Sequence, residues 1–90
     1  MSTLKTCKFT QEAWKDYLEI KSQDAKMAEK IKNLIKNIMN TPFDGLGKPE
    51  PLKYSLTGCW SRRINQQHRL VYKVVDDSLQ IISCKYHYVK

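Results

Sequence analysis

The chain is predicted to fold as an α+β domain, with two N-terminal helices packed on one face of an antiparallel sheet. Three observations predict it. Met27, Ala28, Ile31, Leu34, Ile35, Ile38 and Met39 recur at helical spacing in the first half. Three strand-like runs separated by short turns fill residues 60–88. Between the halves lies an irregular stretch, 41–58, that holds all three prolines and all three glycines of the protein. Ninety residues make one domain with one core, so residues 1–90 are read as a single unit.

Residues 4–9 alternate loosely and are expected to form a first strand. Thr10 is the expected N-cap of a first helix, with Glu12 in its first turn and Ala13, Trp14, Tyr17 and Leu18 on its apolar stripe; it should run to about Lys21. Asp24 can cap the second helix, whose outer faces carry Lys26, Lys30, Lys32 and Lys36. Asn40-Thr41-Pro42 ends that helix, because proline disfavours helical geometry in the residue before it. A short extended piece is expected at 52–56. Strands follow at 60–64, 68–75 and 79–88, and their short connections make them antiparallel neighbours. A two-residue turn at Asp76-Asp77 pairs Val75 with Ser78 and sets Arg69 opposite Cys84, on the other face from His87. A site joining Arg69 and His87 therefore needs a bulge, a longer turn or a bend.

Net charge is +7 and the pI about 9.4. Eight lysines against six acids leave +2 in residues 1–47, whereas eight Lys/Arg against three acids leave +5 in residues 48–90. A basic domain favours polyanionic partners, either nucleic acid or an acidic protein. Cys7, Cys59 and Cys84 are odd in number and lack metal-ligand spacing, which fits reduced thiols in a cytosolic protein without a bound metal or other cofactor. No apolar leader and no 18-residue apolar run is present, so neither secretion nor a membrane span is expected.

All three arginines (Arg62, Arg63 and Arg69) lie in residues 58–73, together with His68, Trp60 and Tyr72 and without any acid. Guanidinium groups bind phosphate through a planar fork, and aromatic faces stack on bases. Lys53, Arg62, Arg63 and Lys73 are the candidate phosphate contacts. Glu50, held between Pro49 and Pro51, is the only acid between Asp44 and Asp76. A carboxylate, a guanidinium and an imidazole suffice for metal-free RNA cleavage: a base takes the 2′-hydroxyl proton, a cation stabilises the phosphorane and an acid protonates the leaving 5′-oxygen. From the residues alone, His68 could stand for His87, and Arg62 or Arg63 for Arg69.

Four segments resolve the choice by resemblance: Thr-Pro-Phe-Asp-Gly-Leu-Gly-Lys-Pro-Glu-Pro-Leu-Lys (41–53), Gly-Cys-Trp-Ser-Arg-Arg-Ile (58–64), His-Arg-Leu-Val-Tyr (68–72) and Cys-Lys-Tyr-His-Tyr (84–88). In order and spacing they resemble the YoeB/Txe toxins of the RelE superfamily. The resemblance implies a toxin of a type II toxin–antitoxin pair that enters the ribosomal A site, contacts ribosomal RNA and cuts the bound mRNA. It implies Glu50 as general base, Arg69 as transition-state stabiliser and His87 as general acid, with Lys53, Arg63 and Tyr88 positioning phosphate or stacking on a base. Such toxins can form homodimers and are silenced by a YefM-like acidic antitoxin. Cys59, Gln67 and the Val89-Lys90 tail depart from the family pattern. Two other readings compete: a non-catalytic RNA- or ribosome-binding module, and a DNA-binding regulator, for which no helix-turn-helix pattern is present.

Overall fold

The computed structural model describes residues 4–86. Its order is β1 (Thr6–Phe9), α1 (Gln11–Gln23), α2 (Ala25–Asn40), β2 (Glu50–Pro51), a 3-10 turn (Tyr54–Leu56), β3 (Trp60–Arg63), β4 (Arg69–Val75) and β5 (Ser78–Tyr86). The five strands form one sheet in the order β1-β5-β4-β3-β2. It is antiparallel except at one edge, where β1 runs parallel to β5. The expected α+β arrangement of two helices on a mainly antiparallel sheet is present, and the parallel edge arises because α1 and α2 intervene between β1 and the hairpins and return the chain across the sheet.

The helices begin where side chains replace missing backbone acceptors. Thr10 Oγ1 accepts from the Ala13 N–H at 3.0 Å, and Asp24 Oδ1 accepts from the Met27 N–H at 3.1 Å. Ala28, Ile31, Leu34 and Ile38 of α2 pack with Ala13, Tyr17 and Ile20 of α1 onto Leu70, Tyr72, Leu79, Ile81 and Cys84 of the central strands. Trp14 and Leu18, expected on the buried stripe, are about half exposed (48% and 46%). The face of α1 that meets the sheet instead passes through Ala13, Tyr17 and Ile20, and Trp14 stacks on Tyr17 at its margin.

The extended piece expected at 52–56 is displaced. The chain pairs with β3 at Glu50–Pro51 and then turns through Tyr54–Leu56. Pro51 is tolerated because β2 is an edge strand. The two-residue turn does pair Val75 with Ser78, but two register shifts follow in β4 and β5. They place Arg69 opposite Tyr86 instead of Cys84. Two one-residue shifts restore the original parity, so this register does not by itself supply the change of face that a joint Arg69–His87 site was expected to need; His87 and Tyr88 lie outside the described residues.

Candidate active site on the uncovered sheet face

The helices cover one face of the sheet, and β2 sets Glu50 beside Ser61 of β3, which pairs in turn with Val71 of β4. Arg69, two pairs further along β4, is almost fully buried at 9% exposure. Its Nη1 donates to Glu50 Oε1 at 3.4 Å and to Ser61 Oγ at 3.3 Å. The Glu50 side chain remains 42% exposed. A guanidinium oriented by the sheet thus meets a carboxylate that is open to solvent. The long ion pair leaves both groups able to exchange partners when an anion arrives.

The three arginines separate sharply. Arg63 is exposed and lines a cleft of about 250 Å³ together with Arg69. Arg62 points to the opposite face and is 0% exposed. This corrects its expected role as an RNA contact, since no phosphate can reach it. Its Nε donates to Tyr72 Oη at 3.2 Å, Nη1 to Asn37 Oδ1 and the Leu46 carbonyl, and Nη2 to the carbonyls of Thr41 and Asp44. Tyr72 Oη donates onward to the Pro42 carbonyl at 2.7 Å. The irregular segment after α2 is therefore wrapped around a buried cation, and this anchors the chain that leads into Glu50. Gly45 serves the same knot. Its φ is +118°, and a Cβ there would meet Asn37 Oδ1 at 2.2 Å.

Lys53 and Lys73 are exposed, as a phosphate contact requires. His68 is half-buried at the start of β4, where its N–H donates to Asn65 Oδ1 at 2.7 Å. Tyr54 escaped the sequence reading. It is 91% exposed and has φ +59°, a conformation that costs a bulky residue about 1–3 kcal/mol. Its signal was only an aromatic following Lys53. It presents a ring to solvent directly after exposed Lys53, where an unpaired base could stack. Elsewhere, burial pushes the Cys84 thiol up to about 12, with the nearby Asp16 carboxylate adding to the shift. Among the described residues, no cluster of three His, Cys, Asp or Glu side chains is placed to hold a metal ion. No helix among them is long and apolar enough to cross a membrane.

A small α+β domain whose sheet carries two helices on one face and an acid–arginine pair on the other has the architecture of RelE-type toxins. Comparison with known proteins narrows this. Residues 9–88 match the model of the YoeB-like toxin of bacterial type II toxin-antitoxin system, and the chain belongs to that family. It is 55% identical over 80 residues to toxin YoeB of Escherichia coli K12, covering 89% of this chain and 95% of that protein. Among solved structures, a YoeB dimer from Staphylococcus aureus superposes with a TM-score of 0.86 at 49% identity, covering 97% of this chain and all of the other. YoeB in a heterotetrameric YoeB-YefM toxin-antitoxin complex from the same organism gives 0.84 at 51% identity, covering 91% and 95%.

Proposed function

We propose that this toxin is a ribosome-dependent endoribonuclease that cuts mRNA by attack of a 2′-hydroxyl on the adjacent phosphate, without a metal ion. Placement of Glu50 against Arg69 on the uncovered face is the observation that carries the reading. Glu50 takes the 2′-hydroxyl proton. Arg69, freed from Glu50 as the carboxylate is protonated, turns its fork to the phosphorane oxygens. His87 supplies a proton to the leaving 5′-oxygen. Lys53, Arg63 and Lys73 hold flanking phosphates, and Tyr88 and Tyr54 offer faces to bases. The solved YoeB-YefM complex supports a YefM-like acidic antitoxin as the silencing partner, and the YoeB dimer supports a second copy of this chain as another; the working compartment is the cytosol.

Glu50→Gln tests the reading against the alternative of a non-catalytic binding module. It should abolish or strongly reduce cleavage of message on programmed ribosomes while ribosome binding is kept or tightened, because a negative charge beside phosphate is removed. Cutting at the unaltered rate would overturn the base assignment.

A further inference from the structure

We propose that the catalytic face continues into a groove that grips an unpaired RNA strand beyond the cut phosphate, with its far end held by Lys26 and Lys30 of α2. The inference rests on the proposed nuclease function. Three clefts share walls to form the groove. The first, with Arg63 and Arg69, opens beside Glu50. The second, about 410 Å³, is lined by Leu34, Leu46 and Gly47, with Lys30, Lys48 and Arg63 on its rim. The third, about 290 Å³, carries Lys26, Lys30 and Met27. Arg63 belongs to the first two, Asn65 to the first and third, and Lys30 to the second and third, so the surface is continuous.

The chemistry of these walls selects a single strand. An apolar surface beside a cationic rim matches a nucleotide whose base or sugar lies against Leu46 while its phosphate turns to the lysines. Leu46 is 57% exposed, a large apolar side chain open to solvent beside the lysines. Gly47 lets the loop that carries Leu46 lie close against α2 and β3: its φ is +80°, and a Cβ there would meet Leu34 Cδ2 at 3.0 Å and the Arg63 carbonyl at 3.1 Å. A duplex would present no unpaired base to this surface. Among the described residues, none of Lys26, Lys30, Lys48 or Arg63 pairs with a carboxylate. Among the described residues that line the second and third clefts, the one acid, Asp24, caps α2 through the Met27 N–H. An acidic peptide could also meet lysines, but direct continuity with Arg69 favours the strand whose phosphate Arg69 stabilises.

Helix α2 contains its own control. Lys32 and Lys36 point instead into a separate aromatic groove with Phe9, Trp14 and Tyr17. The experiment measures binding of the whole chain to uncleavable RNA oligonucleotides, 2′-O-methylated at every position and four or twelve nucleotides long, by fluorescence anisotropy across a salt series. Each phosphate neutralised on a single strand contributes about −0.7 to the log–log slope. The double variant Lys26→Ala/Lys30→Ala should therefore flatten the twelve-mer slope by about 1.4 and leave the four-mer slope nearly unaltered. Lys32→Ala/Lys36→Ala, which removes the same charge, should keep the twelve-mer slope. Equal effects of the two double variants would reduce the groove to diffuse charge and overturn the proposal; so would no effect of either, or a loss of antitoxin affinity in the first with RNA binding intact. Because the RNA cannot be cut, the groove stands or falls separately from the nuclease reading. Crosslinking of 4-thiouridine-containing message on programmed ribosomes then identifies the strand. Crosslinks from the message to residues 26–33 assign the groove to mRNA, crosslinks there from ribosomal RNA assign it to ribosomal RNA, and none from either overturns it.

Discussion

Arg62→Met removes five hydrogen bonds at a position where the side chain is fully buried. Hydrogen bonds to a charged group contribute about 1.5–3 kcal/mol each, so simple addition gives roughly 7–15 kcal/mol. That matches the entire stability of a typical domain, about 5–15 kcal/mol, and overstates the loss for two reasons. The carbonyls of Thr41, Asp44 and Leu46 belong to exposed residues and regain water, and the variant no longer keeps a cation out of solvent. What remains is nearer the ~3–5 kcal/mol found when one member of a buried charged network is removed. At about 4–8 °C per kcal/mol for a domain of this size, Tm falls by roughly 12–40 °C. Thermal unfolding followed by circular dichroism reads it directly. Arg62→Lys, with three donors in one cluster instead of a fork, should recover less than half of the loss. A Tm for Arg62→Met within about 4 °C of the parent would mean a loss under ~1 kcal/mol and refute the anchoring role.

Arg69→Lys should impair cleavage nearly as much as Arg69→Ala, since lysine keeps the charge and loses the fork that reaches two phosphate oxygens; retention of most activity would show that local charge alone matters. In the folded protein at about pH 8, an alkylating reagent should modify Cys7 and Cys59 and spare Cys84, whose thiol is buried and pushed up to about 12; mass spectrometry of the peptides distinguishes them. The same shift has a stability consequence. The Cys84 thiol ionises near 9.0 when unfolded and about 12 when folded, so its contribution is whole below pH 9 and is lost as pH rises toward 12. Urea midpoints should therefore drop between about pH 8 and pH 10.5, and less so in Cys84→Ala.

Local signals carried much of the fold. The α2 stripe, the caps Thr10 and Asp24 and the turn at Asp76-Asp77 are set by neighbours in sequence and appear where expected. Longer-range features were not legible. Nothing within residues 6–9 specifies that they pair with residues 78–81, or in which direction. Alternation cannot register an extra residue, so the bulges that move Arg69 from Cys84 to Tyr86 left no trace in it. Arg62 misled because a buried arginine and an exposed one look alike within a basic cluster. Its partners are Tyr72 and, 16 to 25 residues away, three backbone carbonyls and an asparagine, not acids whose charges would have announced a pair. In the site, residues alone left three arginines interchangeable; burial separates them into one anchor, one exposed rim cation and one partner of Glu50.

The central claim, metal-free attack by the neighbouring 2′-hydroxyl, is tested most directly by the chemistry of the cut ends. Message on programmed ribosomes is incubated with the protein in chelator, and both fragments are analysed by mass spectrometry. The account requires a 2′,3′-cyclic phosphate, or the 3′-phosphate formed by its hydrolysis, on the upstream fragment and a 5′-hydroxyl on the downstream one, with cleavage undiminished by the chelator. A 5′-phosphate end, or loss of the chemical step until a divalent ion is restored, would contradict it.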